Sequence, residues 1–360
     1  MLIAIILGTR PEIIKMSPIV RACQKLGVDF FILHTGQHWS PEMDSRFFAD
    51  LKLPKPKYNL KIRGKSYEKQ IGFMVRGISD ILKKEKPDVV LVQGDTTSVL
   101  AGSLAANKLG IKVGHIEAGL RSRDLSMIEE INRIIVDHIS DYLFVPTKDA
   151  FKNLIEEHCD KEKIHLTGNT IVDAVLQNIE IAEKTASPLK KLKLENKGYL
   201  LATAHRAENV DKKERLLGII SGLSLVGKES SAPVIFPAHP RTVQKIEEFG
   251  IKIPKEIKII KPVGFIEMLL LQKNAEMILT DSGGIQEESC ILNVPCVTFR
   301  DNTERPETVE CGANIISGVI PENILASAIK MRNKNHILKK WDNPFGDGKA
   351  GEKIIKIITK

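Results

Sequence analysis

Short apolar runs alternate with longer amphipathic stretches along the first half of the chain. The runs are rich in Val, Ile and Leu and predict buried strands, whereas the stretches between them have the spacing of helices. The predicted strands lie at 2–7, 29–34, 88–93, 112–117 and 142–146, and the predicted helices at 11–26, 67–84, 97–109 and 129–140. This alternation is typical of a parallel sheet that helices cover on both faces.

The same alternation starts again after Gly168. Strands are predicted at 199–203 and 233–236, helices at 212–226 and 241–249, further elements at 257–260, 265–273, 277–280, 285–292 and 295–299, and a last helix at 350–358. We therefore expect two successive doubly wound α/β domains with a boundary near 166–175. Ligands of such folds bind beyond the carboxyl ends of the strands, which predicts a site in a cleft between the domains.

Clusters of polar residues follow the predicted strands in both halves. They are GTRPE (8–12), TGQH (35–38), GDTTS (94–98), EAGLR (117–121), AHRAEN (204–209) and PAHP (237–240). A structural protein has no reason to place His, Asp, Glu and Arg at every such strand end. The pattern therefore predicts an enzyme.

The stretch 278–289 carries the clearest signal for binding a phosphorylated ligand. An apolar strand ends in a polar, glycine-containing loop that starts a helix, and such a helix end presents unpaired backbone N–H groups to an anion. Gly283 and Gly284 remove side chains that would block a diphosphate, and Ser282 occupies the N-cap position. Arg305 follows as a nearby cation. The alternative is a turn that only caps a helix, since such turns recur in α/β folds.

Two carboxylates at strand ends are candidate acid–base groups. Asp95 follows a strand, and its alternative role is to cap the next helix. Glu117 also ends a strand, where a buried carboxylate costs free energy unless it has a partner or a function. A structural ion pair with Arg121 or Arg123 is the alternative for Glu117.

Two further kinds of side chain are candidates. Glu129 and Glu130 open a predicted helix, where negative charge is favourable, and Glu130 is expected to form a surface ion pair with Arg133. His205 and His239 lie after strands of the second half, where a protonated imidazole can neutralise or protonate a departing phosphate.

Composition and charge exclude several other classes of protein. The net charge is +8, but the lysines are scattered, which favours a solvated surface over nucleic-acid binding. Five cysteines without a C-x-x-C pair indicate reduced thiols, and neither metal-ligand spacing nor G-x-G-x-x-G predicts a metal or dinucleotide cofactor. No apolar run reaches the ~20 residues of a membrane span, and the apolar N-terminus lacks a basic segment, so we expect a cytoplasmic protein.

The clusters, in their order, resemble those of the non-hydrolysing UDP-N-acetylglucosamine 2-epimerases. The matching stretches are GTRPEIIKMSP (8–18), TGQH (35–38), VQGDTTS (92–98), GHIEAGLRS (114–122), EEINR (129–133), GNTIVDA (168–174), AHRAEN (204–209), LTDSGGIQEES (279–289), TERPE (303–307) and NPFGDGKA (343–350). They cover essentially the whole chain. The resemblance implies a GT-B type fold, with a first Rossmann-like domain over 1–168, a second, UDP-binding one over 169–346, and a C-terminal helix, 347–360, that packs back on the first.

The resemblance also assigns roles to single residues where the motifs match. It implies a catalytic set of Asp95, Glu117, Glu129 and His205. It implies that the substrate is bound by Arg10, Lys15, His239, Ser282, Gly283, Gly284, Glu288 and Arg305, with Glu288 on the ribose. No cofactor is implied, and a homodimer is expected.

The implied reaction is the reversible interconversion of UDP-GlcNAc and UDP-ManNAc, a step that serves polysaccharide biosynthesis. UDP leaves to give 2-acetamidoglucal and then adds back after C2 is protonated from the other face. The alternatives are a hydrolysing relative that releases ManNAc and UDP, a glycosyltransferase of the same fold, and a non-catalytic sensor. Three places depart from the family pattern, namely Ala207, 240–242 and Met268, and they bear on allosteric activation by a second substrate molecule more than on catalysis.

Overall fold

The computed structural model describes residues 1–37, 47–62, 67–337 and 341–360, and the chain divides into two compact units. The first comprises Met1–Gln177 and Phe345–Lys360, and the second Asn178–Pro344. The sequence placed this division at 168/169 and 346/347. His38, the last residue of the TGQH cluster, lies outside the described residues.

The first unit is built on a parallel sheet with the strand order β3-β2-β1-β4-β5-β6-β7. Its strands are β1 (Leu2–Leu7), β2 (Asp29–His34), β3 (Tyr58–Asn59), β4 (Val89–Gln93), β5 (Lys112–Ile116), β6 (Tyr142–Val145) and β7 (Ile164–Leu166). The central strands are apolar and buried along nearly their whole length, as expected when helices cover both faces. Strands are added outward in one direction from β1 to β3 and in the other from β4 to β7, so the strand order reverses between β1 and β4, which lie side by side.

The helices of the first unit follow its strands in turn. They are α1 (Arg10–Leu26), α2 (Tyr67–Glu85), α3 (Thr97–Lys108), α4 (Ile128–Ile139), α5 (Lys148–Glu156) and α6 (Thr170–Thr185), whose last turns belong to the second unit, together with the C-terminal helix α15 (Ala350–Ile358). Helix α15 packs against α1, and the carboxylate of Asp173 on α6 accepts hydrogen bonds from the first N–H groups of α15, Ala350 at 3.1 Å and Gly351 at 2.9 Å.

The second unit repeats the architecture with the strand order β10-β9-β8-β11-β12-β13, again all parallel. Its strands are β8 (Leu200–Thr203), β9 (Val234–Pro237), β10 (Ile257–Ile260), β11 (Met277–Thr280), β12 (Cys296–Thr298) and β13 (Asn314–Ile316). Its helices are α7 (Pro188–Leu192), α8 (Ala207–Val210), α9 (Lys213–Ser230), α10 (Pro240–Glu248), α11 (Phe265–Asn274), α12 (Gly283–Ile291), α13 (Pro306–Glu310) and α14 (Pro321–Ile337). Buried Leu, Ile and Val residues on both sides of the sheet form its core.

The predicted fold class is confirmed, since both sheets are parallel and helices connect their strands. Over the described ranges, no helix is both long and apolar enough to span a membrane.

Candidate active site

In the first unit, the carboxyl ends of the neighbouring strands β1, β4 and β5 bring three of the polar clusters to one edge of the sheet. The loop after β1 approaches its neighbours closely. A Cβ at Gly8 would lie 2.1 Å from Ser98 Oγ and 2.2 Å from Thr35 Oγ1. Only glycine leaves room for the loops to meet in this way.

Glu117 lies at the end of β5 in a strained backbone conformation. Its φ is 68°, in the left-handed region that non-glycine residues rarely adopt, and only 6 % of the residue is exposed. The carboxylate accepts hydrogen bonds from Lys15 Nζ, from Gln93 Nε2 and from Asn169 Nδ2, the last at 3.1 Å. Strain that the surroundings hold in place in this manner is characteristic of functional sites.

The expected alternative partners of Glu117 are wrong. Arg121 instead forms ion pairs with Asp137 at 2.7 Å and with Glu157 at 2.6 Å. Arg123 is exposed and lies 3.6 Å from a surface glutamate. The cation at Glu117 is Lys15 on α1, which the resemblance placed near the substrate.

Asp95 follows β4 and is fixed by helix α4. Its carboxylate accepts from Arg133 Nη2 at 2.6 Å and Nε at 2.9 Å, and its backbone carbonyl accepts from Asn132 Nδ2 at 2.8 Å. The alternative role as a helix cap is wrong, because the N-cap of α3 is Thr96, whose hydroxyl accepts from the backbone N–H of Val99.

Of the two glutamates that open α4, Glu130 is the structural one. It is 1 % exposed and accepts from the N–H groups of Ser122 at 3.0 Å and Arg123 at 2.8 Å, and from Arg133 at 2.6 Å. Burial alone would raise the pKa of Glu130, but these hydrogen bonds outweigh it and lower the pKa. The predicted ion pair with Arg133 is confirmed, but its expected place at the surface is wrong, because the Glu130 side chain is buried. Glu129 is exposed in the first turn of α4.

Glu12 belongs to the first polar cluster but was not among the predicted site residues. Glu12 is buried and accepts from the N–H groups of Gly8 and Thr9, both at 2.7 Å, and from Thr96 Oγ1 at 2.6 Å. It thereby ties the loop after β1 to the loop after β4. Burial raises the pKa of Glu12 to about 7. Arg10, two residues earlier, is exposed.

The glycine loop of the second unit is open above the start of α12. Gly284 has no described atom within 4 Å of the Cβ that an alanine would add, and Gly283 has only two such atoms, both at 3.8 Å. Neither glycine has a left-handed backbone, so neither is needed for the turn itself. Ser282 is the N-cap residue, but its side chain makes no capping bond. The open surroundings of the two glycines are compatible with the predicted anion site, which stays a prediction.

Asp281, which was not among the predicted site residues, organises the loops around this helix end. It is fully buried and accepts from the backbone N–H groups of His205 at 3.0 Å and Arg206 at 2.9 Å, and from Asn209 Nδ2 at 3.2 Å. In the sequence, its position between an apolar strand and the two glycines is the feature that could have identified it. The side chain of His205 is 48 % exposed, with Nδ1 3.5 Å from Asp281.

Two residues assigned to substrate binding are held by neighbours on α11 and α12. Arg305 donates through Nε to buried Glu287 at 2.7 Å. Glu288 is 8 % exposed and accepts from Gln272 Nε2 at 2.6 Å. His239 is exposed at the N-cap of α10, where its Nδ1 accepts from the N–H of Arg241.

A further cationic residue of the second unit lies outside the predicted set. Arg300 is 4 % exposed and forms a bidentate pair with Glu304 at 2.6 and 2.9 Å. This pair lowers the pKa of Glu304 to about 2. Arg206 lies 3.7 Å from the same glutamate, so two guanidinium groups stand close to the glycine loop.

Two doubly wound units of this kind, one with ion-paired carboxylates at its strand ends and one with an open glycine helix start, define an α/β protein of the GT-B type. The sequence profile of the UDP-N-acetylglucosamine 2-epimerases matches residues 21–359. The chain therefore belongs to this family, and the resemblance seen in the sequence is confirmed.

Relatives with assigned names match over nearly their whole length. The UDP-N-acetylglucosamine 2-epimerase of Methanocaldococcus jannaschii is 54% identical over 366 residues, covering 100% of this chain and 99% of the relative. The UDP-2,3-diacetamido-2,3-dideoxy-D-glucuronate 2-epimerase of Pseudomonas aeruginosa is 41% identical and covers 100% of both chains.

Solved structures give the same result. The crystal structure of the M. jannaschii UDP-GlcNAc 2-epimerase with UDP-GlcNAc and UDP has a TM-score of 0.87 and covers 100% of this chain and 99% of that one. The Neisseria meningitidis UDP-GlcNAc 2-epimerase bound to UDP-GlcNAc, 33% identical, also has a TM-score of 0.87, with 100% of both chains covered. A Rickettsia africae glycosyltransferase, 15% identical with a TM-score of 0.55, shares the fold alone.

Proposed function

We propose that this protein interconverts UDP-GlcNAc and UDP-ManNAc by epimerisation at C2, without NAD or a metal ion. The observation that carries the proposal is the strained, buried carboxylate of Glu117, ion-paired with Lys15 at the edge of the sheet where Asp95 also lies. Family membership supports the choice of substrate, because relatives of this chain are named for UDP-GlcNAc and have been solved with it.

The chemistry explains why such groups are needed. C2 of the hexose is not next to a carbonyl group, so its proton is not acidic. Departure of UDP from C1 gives an oxocarbenium-like centre that acidifies C2–H, and loss of this proton gives 2-acetamidoglucal. Protonation from the opposite face and return of UDP complete the inversion.

In this scheme the first unit supplies the proton-transfer groups. Asp95, Glu117 and Glu129 are carboxylates that exchange the C2 proton and stabilise the developing cation, and Lys15 and Arg133 hold two of them in fixed orientations. The strain at Glu117 fixes its position before substrate arrives, so little reorganisation is needed during the reaction.

The second unit supplies the groups that bind UDP. The open N-terminus of α12 at Ser282, Gly283 and Gly284 receives the diphosphate, and the carboxylate of Glu288 accepts from ribose hydroxyl groups. Arg305, His205 and His239 in the second unit, and Arg10 in the first, contribute positive charge or a proton to the departing phosphate.

A direct test is incubation of the purified protein with UDP-GlcNAc in the presence of EDTA, followed by chromatography. We expect UDP-ManNAc to appear and to reach the same ratio to UDP-GlcNAc from either starting sugar nucleotide. Free ManNAc with stoichiometric UDP would establish the hydrolysing reaction instead. Conversion of only the diacetamido-glucuronate sugar nucleotide, the substrate named for the P. aeruginosa relative, would correct the substrate.

The proposal also covers the assembly of the enzyme, its location in the cell and the use of its product. We propose a homodimer that works in the cytoplasm and supplies UDP-ManNAc for polysaccharide biosynthesis. Sedimentation velocity at micromolar concentration tests the assembly, and a monomer with full activity would contradict it.

A further inference from the structure

A buried histidine lies directly behind the loops at the ends of β4 and β5. The imidazole of His115 is fully buried, with Nε2 2.8 Å from the carbonyl oxygen of Gly94 and Nδ1 2.6 Å from Asp137 Oδ1. The other carboxylate oxygen of Asp137 accepts from the backbone N–H of Gly119 at 3.1 Å. His115 thus contacts the backbone of the loop after β4, and Asp137 contacts the backbone of the loop after β5.

The partners of Asp137 determine the protonation of its carboxyl group. Burial alone would raise the pKa of Asp137, but the charges and hydrogen bonds of His115 and Arg121 outweigh it and lower the pKa. Asp137 is therefore a carboxylate. A carbonyl oxygen only accepts hydrogen bonds, so Nε2 of His115 donates to Gly94 and holds the backbone of that loop.

These contacts lie beside two residues with a left-handed backbone. Gly94, directly before Asp95, has φ 82°, and Glu117 has φ 68°. A left-handed conformation is unfavourable at a non-glycine residue and persists only where neighbouring groups fix it. Since His115 is fully buried, it acts through the backbone and does not contact the substrate.

We propose that His115 and Asp137 are positioning residues for the proton-transfer carboxylates, in that the imidazole fixes the Gly94 carbonyl and so the direction of Asp95, while Asp137 fixes the turn after Glu117. This inference rests on the proposed epimerase function. It adds a pair of residues that contributes to turnover without contributing to UDP binding.

Two substitutions separate this role from a purely structural one. In His115→Asn the amide nitrogen takes the place of Nδ1, so the bond to Asp137 is kept and the bond to Gly94 is lost. In His115→Gln the amide nitrogen takes the place of Nε2, so the bond to Gly94 is kept and the bond to Asp137 is lost. Each variant loses one buried hydrogen bond, and because the bond lost in His115→Gln is to a carboxylate, His115→Gln should be the less stable of the two.

We expect kcat to fall about 30-fold or more in His115→Asn, as displacements near 1 Å do in active sites, and no more than about threefold in His115→Gln. KM and the Kd for UDP should change less than about threefold in both. As a measurement independent of turnover, amide hydrogen exchange should rise across 94–98 in His115→Asn and stay unchanged in His115→Gln.

Several results would overturn the inference. They are equal losses of kcat in the two variants, no loss in either, a loss expressed only in KM, or a failure of both variants to fold, which would make His115 a residue of the fold alone. The wild-type enzyme assayed alongside separates the two claims. An active wild type with any of these results removes only this inference, whereas an inactive wild type removes the proposed function and the inference with it.

Discussion

Replacing Gly284 with alanine should stabilise the protein and weaken UDP binding at the same time. Gly284 is the second residue of α12, with no left-handed backbone and no described atom within 4 Å of the added Cβ. Alanine is favoured over glycine in a helix by up to about 1 kcal/mol, so the substitution should raise the melting temperature of the ligand-free protein.

The loss of binding follows from the same open space. If the diphosphate fills it, the new methyl group pushes a phosphate away from the backbone N–H groups at the helix start. Losing one hydrogen bond to a charged group costs about 1.5–3 kcal/mol, which is about 10- to 100-fold in Kd. Isothermal titration with UDP measures this directly, and the melting temperature without ligand gives the second half of the prediction.

The chain offers a matched control in Gly72. It lies within α2, is exposed, has no left-handed backbone and has equally open surroundings among the described residues. Gly72→Ala should give a similar gain in stability with no change in the Kd for UDP. A Gly284→Ala variant that binds UDP within about twofold of wild type would refute the assignment of the diphosphate to this loop.

Three further predictions follow from the site. Glu117→Gln and Asp95→Asn should each lower kcat about 100-fold or more while the Kd for UDP changes little, because an amide cannot take up a proton; near-normal turnover in either would make that carboxylate structural. The pKa of Glu304, lowered to about 2 by Arg300, means that its contribution to stability is present above pH 4.5 and is lost as the pH falls through about 2. Urea unfolding should therefore show a smaller acid loss in Glu304→Gln, and an equal loss would contradict the pairing. The pKa of Glu12, raised to about 7 by burial, means that its contribution is present below pH 4.5 and is lost as the pH rises through about 7; in Glu12→Gln the urea midpoint should decline less between pH 5 and 8, and an unchanged decline would contradict this.

Much of the fold was predictable from the sequence because it depends on local patterns. Parallel strands that are buried on both faces read as continuous apolar runs, and β1, β4 and β11 were predicted within one residue of their bounds. Helix α14 was not predicted, since its buried apolar positions are few, with Ile324, Ala328 and Met331 spaced along a mostly polar segment.

The candidate site was predictable in its residue types and not in its pairings. The position of Glu117 at a strand end could be read from the chain, but its partner Lys15 lies 102 residues away and meets it only through the order of the strands. The same holds for Asp95 with Arg133 and for His115 with Asp137. The left-handed backbone at Glu117 had no local signal, because glutamate is not a residue that favours it.

The central claim is that a proton at C2 is removed and replaced during turnover. Proton NMR of the enzyme with UDP-GlcNAc in D₂O tests it most directly, since the C2 proton resonance reports exchange and the anomeric resonances identify the products. We expect UDP-ManNAc with deuterium at C2 and deuterium also entering the remaining UDP-GlcNAc, both slowed about 100-fold or more in Glu117→Gln. Formation of UDP-ManNAc that keeps its C2 proton, or free ManNAc as the main product, would contradict it.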